Sequence, residues 1–155
     1  MRHRRASASS TDVILEFYYS QTFTIAPNIT VSSGAVSQSF TVFWGDGTKN
    51  TYTTTGAKSH SYAAAGTYRV RISGAYSKLG NTGTMTGAAY LRKIISLGKL
   101  TQFDFTGCTN LTYITPYLPP TVTNLTYGFY QANLVNSAFA NVVYWNTSNV
   151  PDMNF

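Results

Sequence analysis

Apolar side chains recur at every second position through much of the first half of this chain. Val13, Leu15, Phe17 and Tyr19 share one face of an extended segment, and Thr22, Phe23, Thr24 and Ile25 lead to a break at Pro27. Phe40, Val42 and Trp44 repeat the alternation until it stops at Gly45-Asp46-Gly47-Thr48. The pattern is cleanest in Tyr68-Arg69-Val70-Arg71-Ile72, where three apolar residues face a core and two arginines face water. A period of two marks half-buried strands, and the abundance of β-branched Thr argues against long helices. Asp46-Gly47 is expected to supply the positive φ of a tight hairpin, and Gly66 a turn before the last alternating strand.

A different pattern governs the second half. Leu100, Phe103, Phe105, Cys108, Leu111 and Ile114 follow the spacing L-x-x-L-x-L-x-x-C, with aromatics in two of the leucine places. A step of 22 residues puts Val122, Leu125 and Tyr127 in the same places, inside the roughly 20–29 residues usual for such repeats. Residues 75–89 are rich in Gly, Thr and Ser and read as a flexible linker. They contain Gly80-Asn81-Thr82-Gly83-Thr84-Met85-Thr86-Gly87, which lacks the Gly-Lys-Ser/Thr needed to cradle phosphate at a helix start. The expected organisation is a basic arm (1–12), a sheet module (13–74), the linker (75–89) and a repeat segment (90–155) whose last repeat is incomplete.

Phe43-Trp44-Gly45-Asp46-Gly47-Thr48, followed by His60-Ser61-Tyr62 and Gly66-Thr67-Tyr68-Arg69-Val70, resembles the PKD family of immunoglobulin-like β-sandwiches. The resemblance implies a spacer or binding module in which Tyr62 and Tyr68 bury their rings between sheets, and it gives Asp46 and His60 structural places in a hairpin and a strand. Leu100 to Ile114 resembles a leucine-rich repeat, with Cys108 at an inward turn position where a thiol acts as a small hydrophobe. Trp145-Asn146-Thr147-Ser148-Asn149-Val150-Pro151-Asp152-Met153 is similar to the W-x-T-S-N-V-x-x-M repeat of bacterial surface proteins of the leucine-rich class. Those proteins often carry a PKD-like module ahead of their repeats, and the layout also resembles tailed-phage proteins. The implied fold class is mainly β: a PKD/Ig-like β-sandwich followed by a short leucine-rich-repeat-like solenoid.

Composition narrows the function. Of 155 residues 43% are hydrophobic and 10% charged, with no apolar run long enough for a membrane span. The single Cys108 cannot form an internal disulfide, so core packing and sheet hydrogen bonds must hold the fold. All 11 Lys and Arg lie in residues 1–99 with three acids, giving +8, whereas residues 100–155 hold Asp104 and Asp152 alone, giving −2. The cations are scattered apart from Arg2, Arg4 and Arg5, so nucleic acid is not the expected partner. Residues 1–10 run from this basic start into polar residues without the apolar stretch of an export signal. The three arginines are expected to dock on an acidic patch of a neighbouring subunit.

Little here points to catalysis. His3 and His60 leave Cys108 without a base in a polar cleft, no pair of carboxylates suits acid-base work, and no ligand spacing suits zinc or calcium. No catalytic residue, metal or cofactor is expected. Four N-x-S/T triplets, at Asn28, Asn110, Asn124 and Asn146, are what chance gives in so Thr-rich a chain. Tyr113, Tyr117, Tyr127, Phe129, Tyr130, Tyr144 and Trp145 make the second half aromatic and almost uncharged, which suits core and interface together, with Tyr127, Tyr130, Tyr144 and Trp145 as candidate interface residues. The expected function is a non-enzymatic structural and adhesive protein, foremost a virion component such as a phage capsid decoration, fibre or spike in a homo- or hetero-oligomeric assembly. A bacterial cell-surface adhesin, or an accessory module binding carbohydrate or protein, is the alternative, and either could meet a host-surface glycan or protein.

Overall fold

Alternate burial of Val13, Leu15 and Phe17 gives the first strand its inner face, and the same rule holds at Phe40 and Val42 and at Val70 and Ile72. The computed structural model describes residues 10–33, 38–81, 83–133, 136–151 and 153. These form twelve strands: β1 (Val13–Tyr19), β2 (Phe23–Ile25), β3 (Asn28–Val31), β4 (Phe40–Phe43), β5 (Lys49–Tyr52), β6 (Gly56–Ala57), β7 (His60–Tyr62), β8 (Gly66–Gly74), β9 (Tyr76–Leu79), β10 (Leu91–Leu97), β11 (Gln102–Phe103) and β12 (Tyr113–Ile114). A one-turn helix α1 (Asn136–Phe139) and 3₁₀ turns at Ala88–Tyr90 and Val142–Tyr144 are the helical pieces among the described residues. Arg2, Arg4 and Arg5, and Asp152, Asn154 and Phe155 of the expected last repeat, lie outside the described residues.

The fold is mainly β, with several sheets arranged as in a β-sandwich. One sheet has the order β12-β10-β1-β8-β4-β5 and another β11-β9-β3-β6, with β2-β7 a separate pair. The β2-β7 and β3-β6 pairs share one antiparallel register, from Phe23 opposite Tyr62 to Ile29 opposite Gly56. Pro27 divides them because it has no N–H to give the ladder, although its carbonyl still accepts from the Lys58 amide (2.9 Å). Val13, Leu15, Phe17, Phe40, Val42, Val70 and Ile72 meet Phe23, Ile25, Ile29, Tyr62, Tyr76 and Leu79 in one buried cluster.

Residues 75–89, expected to be a linker, contain β9. Tyr76 and Leu79 are buried in the core, and β9 pairs antiparallel with β3 on one side and parallel with β11 on the other. Strand β10 does the same in the other sheet, antiparallel to β1 and parallel to β12. Backbone ladders of two kinds therefore meet on the same two strands. Beyond β11 the parallel stacking continues through a bridge from Gln102 to Asn124 and a bond from the Thr123 amide to the Thr101 carbonyl (3.0 Å). Beyond β12 it continues through side chains, the Asn141 amide donating to the Ile114 carbonyl (3.0 Å) and the Trp145 indole to Thr115 (2.8 Å). Leu100, Phe103, Phe105, Cys108, Leu111 and Ile114 are all buried between these layers.

The β4–β5 turn is locked by polar contacts. Gly45 and Gly47 carry the positive φ here (+86° and +89°), and a side chain at Gly45 would collide with the Arg69 backbone, so the strain-bearing positions flank Asp46. The Asp46 carboxylate accepts from the Thr48 hydroxyl (2.6 Å), the Thr48 amide (3.0 Å) and the His60 Nε2 (2.7 Å). His60 in turn stacks flat on Trp44 (centroids 4.6 Å apart), whose indole donates to Asn50 (2.8 Å). The buried Tyr62 hydroxyl donates to the Trp44 carbonyl (2.8 Å), its ring stacks on Tyr68 (4.0 Å), and Tyr68 donates to the Ala64 carbonyl (3.0 Å). The Gly66 carbon faces that Tyr68 ring, where its φ of +159° is extended backbone.

Partial burial works to raise the Asp46 pKa, but the Thr48 and His60 hydrogen bonds and the His60 charge together outweigh it and hold the carboxyl at about 2, below the ordinary 3.8. A lowered folded-state pKa stabilises above the unfolded value and loses that contribution as pH falls from about 4 toward 2. Asp46→Asn is therefore expected to cost about 1 kcal/mol at pH 7, discounted for partial exposure, and to flatten the acid limb of stability over that interval in urea titrations at stepped pH.

Candidate functional site

The charge-free stretch beyond Leu100 is interrupted among the described residues by Asp104 alone, and that residue organises the surface around it. Asp104 is buried. One carboxylate oxygen accepts from the Thr106 amide (2.9 Å) and the other from the Gly83 amide (3.0 Å), while its own amide donates to the Leu79 carbonyl (2.8 Å). The turn after β11 is thus fastened to the loop after β9. Gly80, at φ +92°, is required where the two meet, because a Cβ there would lie 2.6 Å from Asp104.

Tyr127, Tyr130 and Gln131 face this floor. Together with Gly83, Thr84 and Thr106 they line a cleft of about 510 Å³. Tyr127 (φ +59°) and Gln131 (φ +52°) are the non-glycine residues with left-handed backbone among those described, a conformation that costs on the order of 1 kcal/mol each and collects at functional sites. The segment is held by bonds from the Phe105 amide to the Gly128 carbonyl (2.8 Å) and from the Gly107 amide to the Tyr130 carbonyl (3.0 Å). Phe129 points inward between the two tyrosines, stacked on Phe105 (5.9 Å) and touching Phe103 and Trp145. The Tyr127 and Tyr130 rings meet edge to face (5.7 Å, 83°). Such a cleft can stack on flat apolar faces and exchange hydrogen bonds with hydroxyls, and no acid-base pair lines it among the described residues.

The residues expected from sequence separate into three groups. Tyr127, Tyr130 and Tyr144 are exposed (48, 47 and 73%). Trp145, expected at the surface, is buried within the chain: it is 8% exposed, its indole hydrogen is given to the Thr115 carbonyl, and its ring packs on Phe103 and Phe129. Tyr127 does not take the inward place that a uniform 22-residue step requires: Phe129 lies over Phe105 instead, and the extra residues turn Tyr127 outward. Trp44, Gly45, Asp46, Gly47, His60, Tyr62, Gly66 and Tyr68 sit together in the sandwich, remote in sequence from the cleft. Cys108 is fully buried, and burial first, then the Asp104 charge, pushes its thiol up to about 12. A thiol so held is not a nucleophile.

Sequence reasoning missed Asp104, Thr84, Thr106 and Gln131. The available signal was Asp104-Phe105-Thr106, an acid two residues before an amide it can cap, standing alone in an uncharged run. No group of three or more metal-ligating side chains converges among the described residues, and no helix there is long and apolar enough to cross a membrane. No family model, curated protein or solved structure matches the chain.

Removing Asp104 leaves the buried Thr106 amide without its acceptor and releases the exposed Gly83 amide to water. Asp104→Ala is expected to lower stability by about 2 kcal/mol in urea unfolding, within the range for losing a charge-assisted bond to one buried amide.

Proposed function

We propose that the protein is a non-enzymatic structural and adhesive component, foremost of a virion, as a capsid decoration, fibre or spike. The observation that carries it is the exposure of Tyr127, Tyr130 and Tyr144 on the uncharged half of the chain, where large aromatics unprotected from water mark a contact surface. The rest of the ionisable inventory supports the same role. Asp12 pairs with Arg71, Glu16 with Arg69 and Lys93, Asp46 with His60, and Asp104 with two amides, so each described carboxylate has a structural task.

The PKD-like reading of residues 13–74 is supported by the Trp44, Asp46, His60 and Tyr62 contacts, and the leucine-rich-repeat reading of residues 90–155 by parallel pairing at a step of about 22 residues. Arg2, Arg4 and Arg5 are proposed to anchor the chain on acidic capsid or neighbouring subunits. The tyrosine surface then faces outward, toward a host-surface glycan or protein. The same surface fits a bacterial cell-surface adhesin or a carbohydrate-binding accessory module, which is the second reading.

Quantitative mass spectrometry of purified particles and of cell-envelope fractions separates these. The virion role predicts a fixed ratio to the capsid subunit. Recovery in the envelope alone would establish the second reading, and absence from both fractions would contradict the proposal.

A further inference from the structure

We infer that the Tyr127–Tyr130 cleft binds a neutral oligosaccharide. Resting on the adhesive role proposed above, this names the chemical class that the cleft recognises. Its volume of about 510 Å³ falls within the roughly 300–1,000 Å³ of small-ligand sites. Its walls offer two tyrosine rings, which match the apolar C–H faces of pyranoses, and Thr84, Thr106 and Gln131, whose hydroxyl and amide groups both donate and accept as sugar hydroxyls do. Among the described residues no Lys, Arg, Asp or Glu lines it, so they offer nothing to compensate a phosphate, sulfate or carboxylate brought out of water. A second cleft of about 230 Å³ shares Gly83 and Thr84 with it. A third of about 320 Å³ adjoins the second at Gly80 and Asn81. The first two depressions, which meet at Gly83 and Thr84, suit more than one linked ring; Lys78 and Asp104 line the third, which lies outside the neutral site.

The cleft is also built before any ligand arrives. Asp104 fixes the floor, Phe129 backs the wall, and left-handed backbone at Tyr127 and Gln131 presents both side chains outward. Local strain retained at two positions of one lining is what preorganisation for binding requires. A protein partner suits the protruding Val143 and Tyr144 better than a concavity of this size.

The full chain is to be screened on an array of neutral glucan, mannan, galactan and N-acetylglucosamine oligomers beside sialylated and sulfated glycans, with calorimetry on the strongest neutral binder. Tyr127→Gly removes the ring and the left-handed strain together. It is expected to leave the melting temperature unchanged or raised while weakening binding at least tenfold; Tyr130→Ala should weaken binding similarly, and Tyr144→Ser, outside the cleft, should not. Should a variant fail to fold, amide shift changes at Gly83, Thr84, Thr106 and Gln131 on adding the oligomer to the wild-type chain supply the test. Binding to no neutral glycan, to anionic glycans alone, unchanged affinity in folded cleft variants, or shifts elsewhere would each overturn the inference. A fixed ratio in particles without glycan binding removes this inference alone. Glycan binding by a protein absent from particles and envelope removes the structural role and leaves the cleft.

Discussion

Everything in this molecule depends on two strands being paired on both sides. Strand β9 and strand β10 end the sheets of the sandwich, and each is also the first rung of a parallel stack. An edge strand left open exposes a row of N–H and C=O groups, and stacked segments left uncapped expose their apolar interior. Here each hazard covers the other. The sandwich caps the stack, and the stack closes two edges of the sandwich, so one hydrophobic cluster runs from Val13 through Val150.

That continuity explains how a loop rich in Gly and Thr can form a binding surface. The loop after β9 is anchored before it by the core residue Leu79 and after it by Ala88, and its middle is fastened by Asp104. The strained tyrosine segment opposite is tied to the same turn through Gly107 and Phe105. Both walls of the cleft therefore hang from adjacent layers of the stack, and left-handed backbone at Tyr127 and Gln131 is tolerated because surrounding packing over-determines it. The account thus joins a chain-level constraint, shared strands, to a local one, a charge-free cleft held in shape.

How much of this could be read from the sequence follows from which forces leave a periodic trace. Strands β1, β4 and β8 were legible because one-sided burial writes alternation into the chain. Strand β9 was not, because Tyr76-Ser77-Lys78-Leu79 is short, set among Gly and Thr, and stabilised by two neighbours far away in sequence. The inward places of Phe103, Phe105 and Cys108 followed from spacing, but Tyr127 did not, since a local lengthening hands its place to Phe129. Trp145 was legible as a motif residue and misread as surface; its burial depends on an acceptor, the Thr115 carbonyl, thirty residues earlier in the chain. Asp104 was invisible to any search for catalytic or metal chemistry because its partners are backbone amides.

The two tryptophans report on the two halves, Trp44 on the sandwich and Trp145 on the stack. In the single-tryptophan variants Trp145→Phe and Trp44→Phe, urea unfolding followed by fluorescence and by far-ultraviolet circular dichroism tests the shared-strand account directly. Strands common to both halves predict one cooperative transition, with fluorescence and dichroism midpoints coinciding within each variant. A stack that melts at lower urea while Trp44 stays buried would show that the halves stand independently and would contradict it.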